Sequence, residues 1–74
     1  MTLNELEVGR SAVIRTVGGT GELRFRLLDM GLIPRTHIKA VRIAPMGDPI
    51  AYELRGYELT LRIDDGKLIE IEPD

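Results

Sequence analysis

The sequence of 74 residues has no cysteine and only three aromatic side chains, Phe25, Tyr52 and Tyr57. Without cysteine, neither disulfides nor thiolate ligands of a metal can stabilise the fold. No apolar run reaches the length of about 18 residues that a membrane span needs. The first residues also lack the basic and apolar regions of a secretory signal. We therefore expect a cytoplasmic protein whose aliphatic side chains form the core of one domain, residues 1–74.

The chain also lacks an excess of either charge. Ten basic and twelve acidic residues leave a formal charge of −2, and the basic residues are scattered along the sequence. A protein that binds by neutralising phosphates normally carries a basic surplus. We therefore predict no nucleic-acid partner.

Few residues could carry out catalysis or bind a metal. His37 is the only histidine, whereas iron and zinc sites usually combine several histidine, cysteine or carboxylate ligands. The glycine-rich residues 18–21 lack the consecutive Lys-Ser/Thr pair of a phosphate-binding loop and the spacing of a dinucleotide-binding fingerprint. We predict no catalytic, cofactor-binding or metal-binding residue, and no enzyme activity.

Short segments of alternating apolar and polar residues predict β-strands with one buried face. Residues 50–55, 57–63 and 68–72 fit this pattern, and residues 11–17 are predicted to form a strand because they are rich in β-branched side chains. Residues 36–44 alternate imperfectly, which indicates a strand that bends sharply and changes its buried face. A strand that bends in this way is typical of a small, strongly curved sheet.

One helix is predicted between the first two strands. Thr20 is the expected N-cap, and residues 21–30 place Leu23, Leu27 and Met30 at helical spacing toward the core. Arg24 and Arg26 would then face water. Gly31 is the expected helix stop, and Pro34 prevents the helix from continuing.

Turn residues and aromatic residues complete the prediction. Asp65-Gly66 is a strong hairpin-turn pair, and Tyr52 and Tyr57 are expected in the core unless they line an exposed peptide-binding groove. Five strands and one helix predict a mainly β fold, a small antiparallel β-barrel whose closure would hide the strand edges.

Three segments, at their spacing, carry a family resemblance: LLDMGLIPRT at residues 27–36, APMGDPI at 44–50 and LTLR at 59–62. Together they resemble the FeoA family, small cytosolic accessory proteins of bacterial ferrous-iron transport. The resemblance implies an SH3-like barrel with a helix inserted after the first strand. It also implies contact with FeoB, a membrane transporter with a cytosolic GTP-binding domain, and membrane association only through that partner. Family members often have glycine at position 35, so Arg35 predicts a turn without positive φ.

Five residues are predicted to bind the partner. Leu32 and Ile33 follow the helix and are expected to be partly exposed. Met46 lies between two prolines in a loop, where it is hard to bury, and methionine adapts well to binding surfaces. Arg24 and Arg26 complete the set on the helix. An alternative role for Leu32, Ile33 and Met46 is to cap the ends of the barrel.

Two other functions stay open at this point. SH3-like domains also end some iron-dependent repressors, so the chain could be the SH3-like domain of a metal-dependent transcriptional regulator. It could also be a self-associating module that forms a homodimer through an exposed apolar loop. The initial methionine and the absence of a DNA-reading helix pair favour a free-standing protein, and we expect the accessory role.

Overall fold

Five antiparallel strands and two helices form the molecule in a computed structural model that describes all 74 residues. After a 3-10 helix at Leu3–Glu5, the elements follow in this order: β1 (Ser11–Val17), α1 (Gly21–Asp29), β2 (His37–Ile43), β3 (Ile50–Leu54), β4 (Tyr57–Leu61), α2 (Ile63–Gly66) and β5 (Ile69–Pro73). Neither helix is long and apolar enough to cross a membrane. The predicted mainly β fold with five strands and one inserted helix is confirmed.

The strands form one sheet in the order β4-β3-β2-β1-β5. The β1–β5 ladder shifts register between Ile14 and Thr16, and the β2–β3 ladder shifts between Ala40 and Arg42. Such bulges bend a strand and increase its twist, which confirms the bend predicted in the second strand. The two end strands, β4 and β5, are not hydrogen-bonded to each other. The predicted closure that would hide the strand edges is therefore wrong, because the ladder ends at β4 and at β5.

The core is aliphatic apart from one tyrosine, as predicted. Its members are Leu3, Leu6, Ala12, Ile14, Val17, Leu27, Leu32, Ile38, Ala40, Ile50, Tyr52, Leu54, Leu61, Ile69 and Ile71. The Tyr52 hydroxyl donates a hydrogen bond to the Leu3 carbonyl at 3.2 Å, and burial raises the pKa of Tyr52 to about 12. The phenol is therefore protonated at neutral pH and ties the N-terminal segment to the sheet.

Helix α1 packs on the sheet through the residues that its spacing predicted. Leu27 is completely buried, and Leu23 and Met30 are half-buried against the core. Thr20 occupies the N-cap position, but its side chain makes no capping hydrogen bond. Arg24 and Arg26 are exposed, as expected.

The predicted hairpin turn at Asp65-Gly66 is wrong, because residues 63–66 form the short helix α2. A tertiary contact explains the helix. The first N–H groups of a helix have no partner within the helix, and the Ile63 N–H instead donates to the Asp48 carboxylate at 3.0 Å. A Cβ on Gly66 would lie 3.2 Å from the Asn4 backbone nitrogen. Gly66 is therefore suited to the close approach of the N-terminal segment and not to a hairpin.

The prediction for Arg35 is also wrong, because its φ is +75°. The Arg35 N–H donates to the Ile14 carbonyl at 2.7 Å, and the Thr36 N–H donates to the Ile33 carbonyl at 3.1 Å. These hydrogen bonds hold the chain in the left-handed region although a Cβ is present there. Hydrogen bonding to β1 therefore overrides the local preference of this residue.

Replacement of Arg35 by glycine is expected to raise the free energy of unfolding by about 0.5–1 kcal/mol. The left-handed conformation costs an L-residue about 1–2 kcal/mol, and the entropy lost by glycine offsets part of the gain. Urea denaturation measures the change. The control is Arg15→Gly within β1, where no positive φ is relieved and glycine should destabilise. An Arg35→Gly protein as unstable as the Arg15→Gly protein would contradict the prediction.

The β3–β4 hairpin turns through Arg55 and Gly56, whose φ angles are +51° and +83°. Two successive positive φ angles in a two-residue loop are typical of a type I′ turn. Tyr57 follows this turn with 42% of its surface exposed, so its predicted core position is wrong. Its hydroxyl instead donates to the Met30 carbonyl at the end of α1, which places the aromatic ring over the helix terminus.

Candidate functional site

Leu32 is completely buried, so the expectation that it is partly exposed is wrong, and Leu32 offers no surface to a partner. Gly31 has a φ of +102°, the Leu32 N–H donates to the Leu27 carbonyl at 3.2 Å, and the Gly31 N–H donates to the Leu28 carbonyl at 2.9 Å. This pair of bonds is a Schellman motif, in which the apolar residue after the glycine usually contacts the helix. The spacing of Leu27, Gly31 and Leu32 carried that signal in the sequence.

Met46 is the most exposed apolar side chain of the molecule, with 93% of its surface accessible. It lies in the loop between β2 and β3, as predicted. Nearby, Ile43 is 47% exposed and lines a shallow groove with Pro45 and Pro49. We call Ile43, Pro45, Met46 and Pro49 the Met46 surface.

The loop that carries Met46 is held at both ends. The Ala44 N–H donates to the Pro49 carbonyl at 3.0 Å, and the Gly47 N–H donates to the Ala44 carbonyl at 2.7 Å. The Asp48 carboxylate accepts hydrogen bonds from the Ile63 N–H and, at 3.3 Å, from the Arg62 guanidinium. Because the loop is already ordered, a partner that binds Met46 has little conformational entropy to remove.

The exposed face of α1 holds the two predicted arginines in different situations. The Arg24 Nε donates to the Val17 carbonyl at 3.1 Å, so this side chain is tied to β1. Arg26 is exposed and takes part in no ion pair. Ile33, beyond the helix, is 37% exposed. The two arginines therefore lie at the surface as predicted. Ile33 is partly exposed, also as predicted.

Phe25 is the exposed side chain that the sequence reasoning missed. It is 65% accessible in the middle of α1. Leu23 and Leu27, two positions away on either side, face the core, and residues two apart on a helix point in widely different directions. That spacing was the signal that could have placed Phe25 on the outer face.

The predicted partner residues do not form one patch. The end of α1 contacts the turn end of the β3–β4 hairpin through Tyr57 and Met30, whereas the Met46 surface adjoins the other end of β3 at Ile50. A five-residue strand spans about 13 Å. The structure therefore offers two candidate docking regions, the Met46 surface and the outer face of α1.

Reactive groups are not brought together. His37 is exposed on β2, and no group of three or more histidine or carboxylate side chains is placed to hold a metal ion. The predictions that no metal is bound and that no reaction is catalysed stay predictions. The surfaces with a distinctive character are the ones that expose large apolar side chains, at Met46 and at Phe25.

Comparison with known proteins gives one family and relatives with related descriptions. The family model described as "FeoA domain" matches residues 1–73. A fusion protein of Porphyromonas gingivalis, described as Fe(2+) transport protein A fused to Fe(2+) transporter FeoB, is 42% identical over 72 residues. That match covers 97% of this chain but only 8% of the fusion protein.

Two solved structures share the fold. Iron(II) transport protein A of Clostridium thermocellum is 38% identical, with a TM-score of 0.94 over 99% of this chain and 45% of that one. A zinc-complexed FeoA of Stenotrophomonas maltophilia, described as a prokaryotic SH3 domain protein, is 26% identical. Its TM-score is 0.85 over 97% of this chain and 89% of that one. The SH3-like fold implied by the resemblance is confirmed.

Proposed function

This chain belongs to the FeoA domain family, and from that premise we propose that it is a non-enzymatic accessory protein of ferrous-iron uptake. It acts by contact with the cytosolic part of a FeoB-type transporter. It works in the cytoplasm and meets the membrane only through this partner. The observation that carries the proposal is the relative in which the two proteins are fused.

Fusion supports contact for a physical reason. Two modules in one polypeptide stay at a high effective concentration, which makes even a weak contact between them productive. Fused or separate, the two modules still need complementary surfaces to make that contact. Exposed apolar side chains on an ordered scaffold suit such a contact, and this molecule has two candidate regions.

The Met46 surface is the better candidate for the main contact. Met46 and Ile43 expose apolar area on a loop that hydrogen bonds already hold in place. An unbranched methionine side chain adapts to the shape of its partner. Phe25 and Arg26 on the outer face of α1 form the second region, where an aromatic ring and an unpaired guanidinium are typical of binding hot spots.

The direct test is titration of the isotope-labelled chain with the purified cytosolic region of a FeoB-type transporter. Saturable amide shift changes around the Met46 surface are expected, and calorimetry gives the affinity. The same titration with each nucleotide state of the transporter region tests for nucleotide dependence. Absence of binding in every state, together with normal iron uptake in cells that lack the protein, would refute the proposal.

Replacement of Met46 by alanine is expected to weaken transporter binding about tenfold, the loss typical when a central apolar contact is truncated. The free energy of unfolding should change by less than about 0.5 kcal/mol, because the side chain touches little of its own molecule. Calorimetric titration and thermal unfolding check the two quantities.

Two further variants sharpen this measurement. Val8→Ala removes another exposed apolar side chain, 47% accessible, from outside both regions and should bind normally. Phe25→Ala tests the face of α1. Unchanged affinity after Met46→Ala with a loss after Phe25→Ala would move the main contact from the Met46 surface to the helix.

A further inference from the structure

One edge of the sheet is open and the other is partly covered. Beyond β5, Thr2 bridges to Glu70, and the Ile71 N–H donates to the Met1 carbonyl at 2.9 Å. At the opposite edge of the sheet, β4 is hydrogen-bonded to β3 alone and has no strand on its other side. The side chains of Glu58 and Thr60 on β4 are exposed. An unpaired edge of this kind is a template for another strand.

The hairpin geometry decides which peptide groups of β4 are free. The two-residue turn makes Leu54 and Tyr57 a hydrogen-bonded pair, and such pairs alternate with non-bonded ones along an antiparallel ladder. Glu58 faces Glu53 and Thr60 faces Ala51, so both belong to non-bonded pairs. Their N–H and C=O groups point away from β3. No loop, cap or side-chain hydrogen bond uses these groups.

The usual protections of an edge strand are weak in β4. Its ladder with β3 runs without a register shift over five residues, unlike the ladders of β1 with β5 and of β2 with β3. It contains no proline. Its one charged residue, Glu58, is ion-paired with Arg42. Bulges, prolines and charged side chains normally keep edges apart, and β4 has only the single carboxylate, so it is suited to pairing.

We propose that β4 pairs antiparallel with β4 of a second copy of this chain, about a two-fold axis through Leu59. In this register Glu58 lies opposite Thr60 of the second copy, and the reverse holds by symmetry. These are the residues whose peptide groups are free, so each pair exchanges two N–H···O bonds. The edge is thus complementary to itself, and the two sheets join into one.

The charges favour the register centred on Leu59 over the register centred on Glu58. A shift that centres the axis on Glu58 would place two carboxylates directly opposite each other, which destabilises a strand pair. On the other face of the seam, Leu59 meets its own copy, and the half-exposed Tyr57 lies opposite Leu61. The seam is short, so we expect a weak dimer of the transient class.

Charge substitutions at Thr60 test the proposal with opposite signs. Thr60→Lys places an ammonium opposite Glu58 of the second copy, and Thr60→Glu places a carboxylate there. Each substitution acts twice by symmetry, so the association constant should rise and fall respectively by about 2- to 30-fold. Thr60→Pro removes an outward N–H without touching the ladder to β3 and should abolish association.

Sedimentation equilibrium of the 74-residue chain up to about 1 mM, the range of weak association, gives the association constants. Thr20→Lys and Thr20→Glu are the matched controls, because Thr20 is exposed and makes no capping hydrogen bond. A concentration-dependent dimer that responds to Thr60 and not to Thr20 supports the proposal. A monomer throughout, or equal responses at both positions, overturns it.

Discussion

The Leu32→Ala protein is expected to lose about 2–5 kcal/mol of unfolding free energy, as buried leucine truncations do. Leu32 has no accessible surface and packs in the core beside Leu27. Truncation removes these contacts and leaves a cavity that the rigid Schellman turn cannot close. A chain of 74 residues typically has only about 4–11 kcal/mol in total, so the melting temperature should fall by about 10 °C or more.

Ile33→Ala is the control for Leu32→Ala, because the neighbouring residue is 37% exposed and its truncation should cost much less. Calorimetry and urea denaturation on both variants give the comparison. Equal losses for the two variants would show that Leu32 is not in the core. If the Leu32→Ala protein has normal stability but does not bind the transporter, Leu32 is a partner-binding residue and not a core residue.

Replacement of Leu61 by alanine is expected to cost a similar amount, about 2–5 kcal/mol. Leu61 is 4% exposed, lies opposite Ile50 in the β3–β4 ladder and belongs to the core. It is also the last residue of β4 before α2, so a cavity there loosens the junction between the sheet and the short helix.

Thermal unfolding of Leu61→Ala beside Thr60→Ala, at a low concentration where the chain is monomeric, checks this expectation. Thr60 is the exposed neighbour on the same strand, so its truncation removes no core contact. A melting temperature of the Leu61→Ala protein within experimental error of the wild type would mean that the alternation of β4 does not describe its buried face.

The contrast between Leu32 and Met46 separates stability from binding in this molecule. The sequence makes both residues candidates for the partner surface, Leu32 by its place in the turn after α1 and Met46 by its place between two prolines. The structure buries one completely and leaves the other 93% exposed. Truncation of Leu32 should therefore reduce stability first, and truncation of Met46 should reduce binding alone. The two variants together test whether the proposed surface is a binding surface or a fold requirement.

The strands and α1 were predictable because their signals are local. Alternation over β3, β4 and β5 and the spacing of Leu23 and Leu27 in α1 report which side of each element meets the core. The bend of β2 was also visible, as a change of buried face that the bulge at Ala40 and Arg42 explains. These features need no knowledge of distant residues.

The two misplaced turns, at Arg35 and at Asp65-Gly66, each depend on a contact with a distant part of the chain. Arg35 takes a left-handed conformation because its N–H reaches Ile14 on β1. Asp65-Gly66 is helical because Asp48, 15 residues before Ile63, accepts the Ile63 N–H. A local turn preference is weak beside such hydrogen bonds, so the tertiary structure overrides it. Phe25 is a different case, because its spacing from Leu23 and Leu27 is a local signal that places it on the outer face of α1.

By itself, the sequence determined the class of the molecule: a cysteine-free aliphatic core, period-two strands around one helix, and a family resemblance without reactive residues. Hydrophobic periodicity depends only on neighbouring residues, so it can be recognised in the sequence without knowledge of the fold. Only the tertiary structure decided which apolar residues reach the surface and which sheet edge stays open. Exposure and edge pairing depend on what the rest of the chain covers, and that is fixed by contacts between residues far apart in sequence.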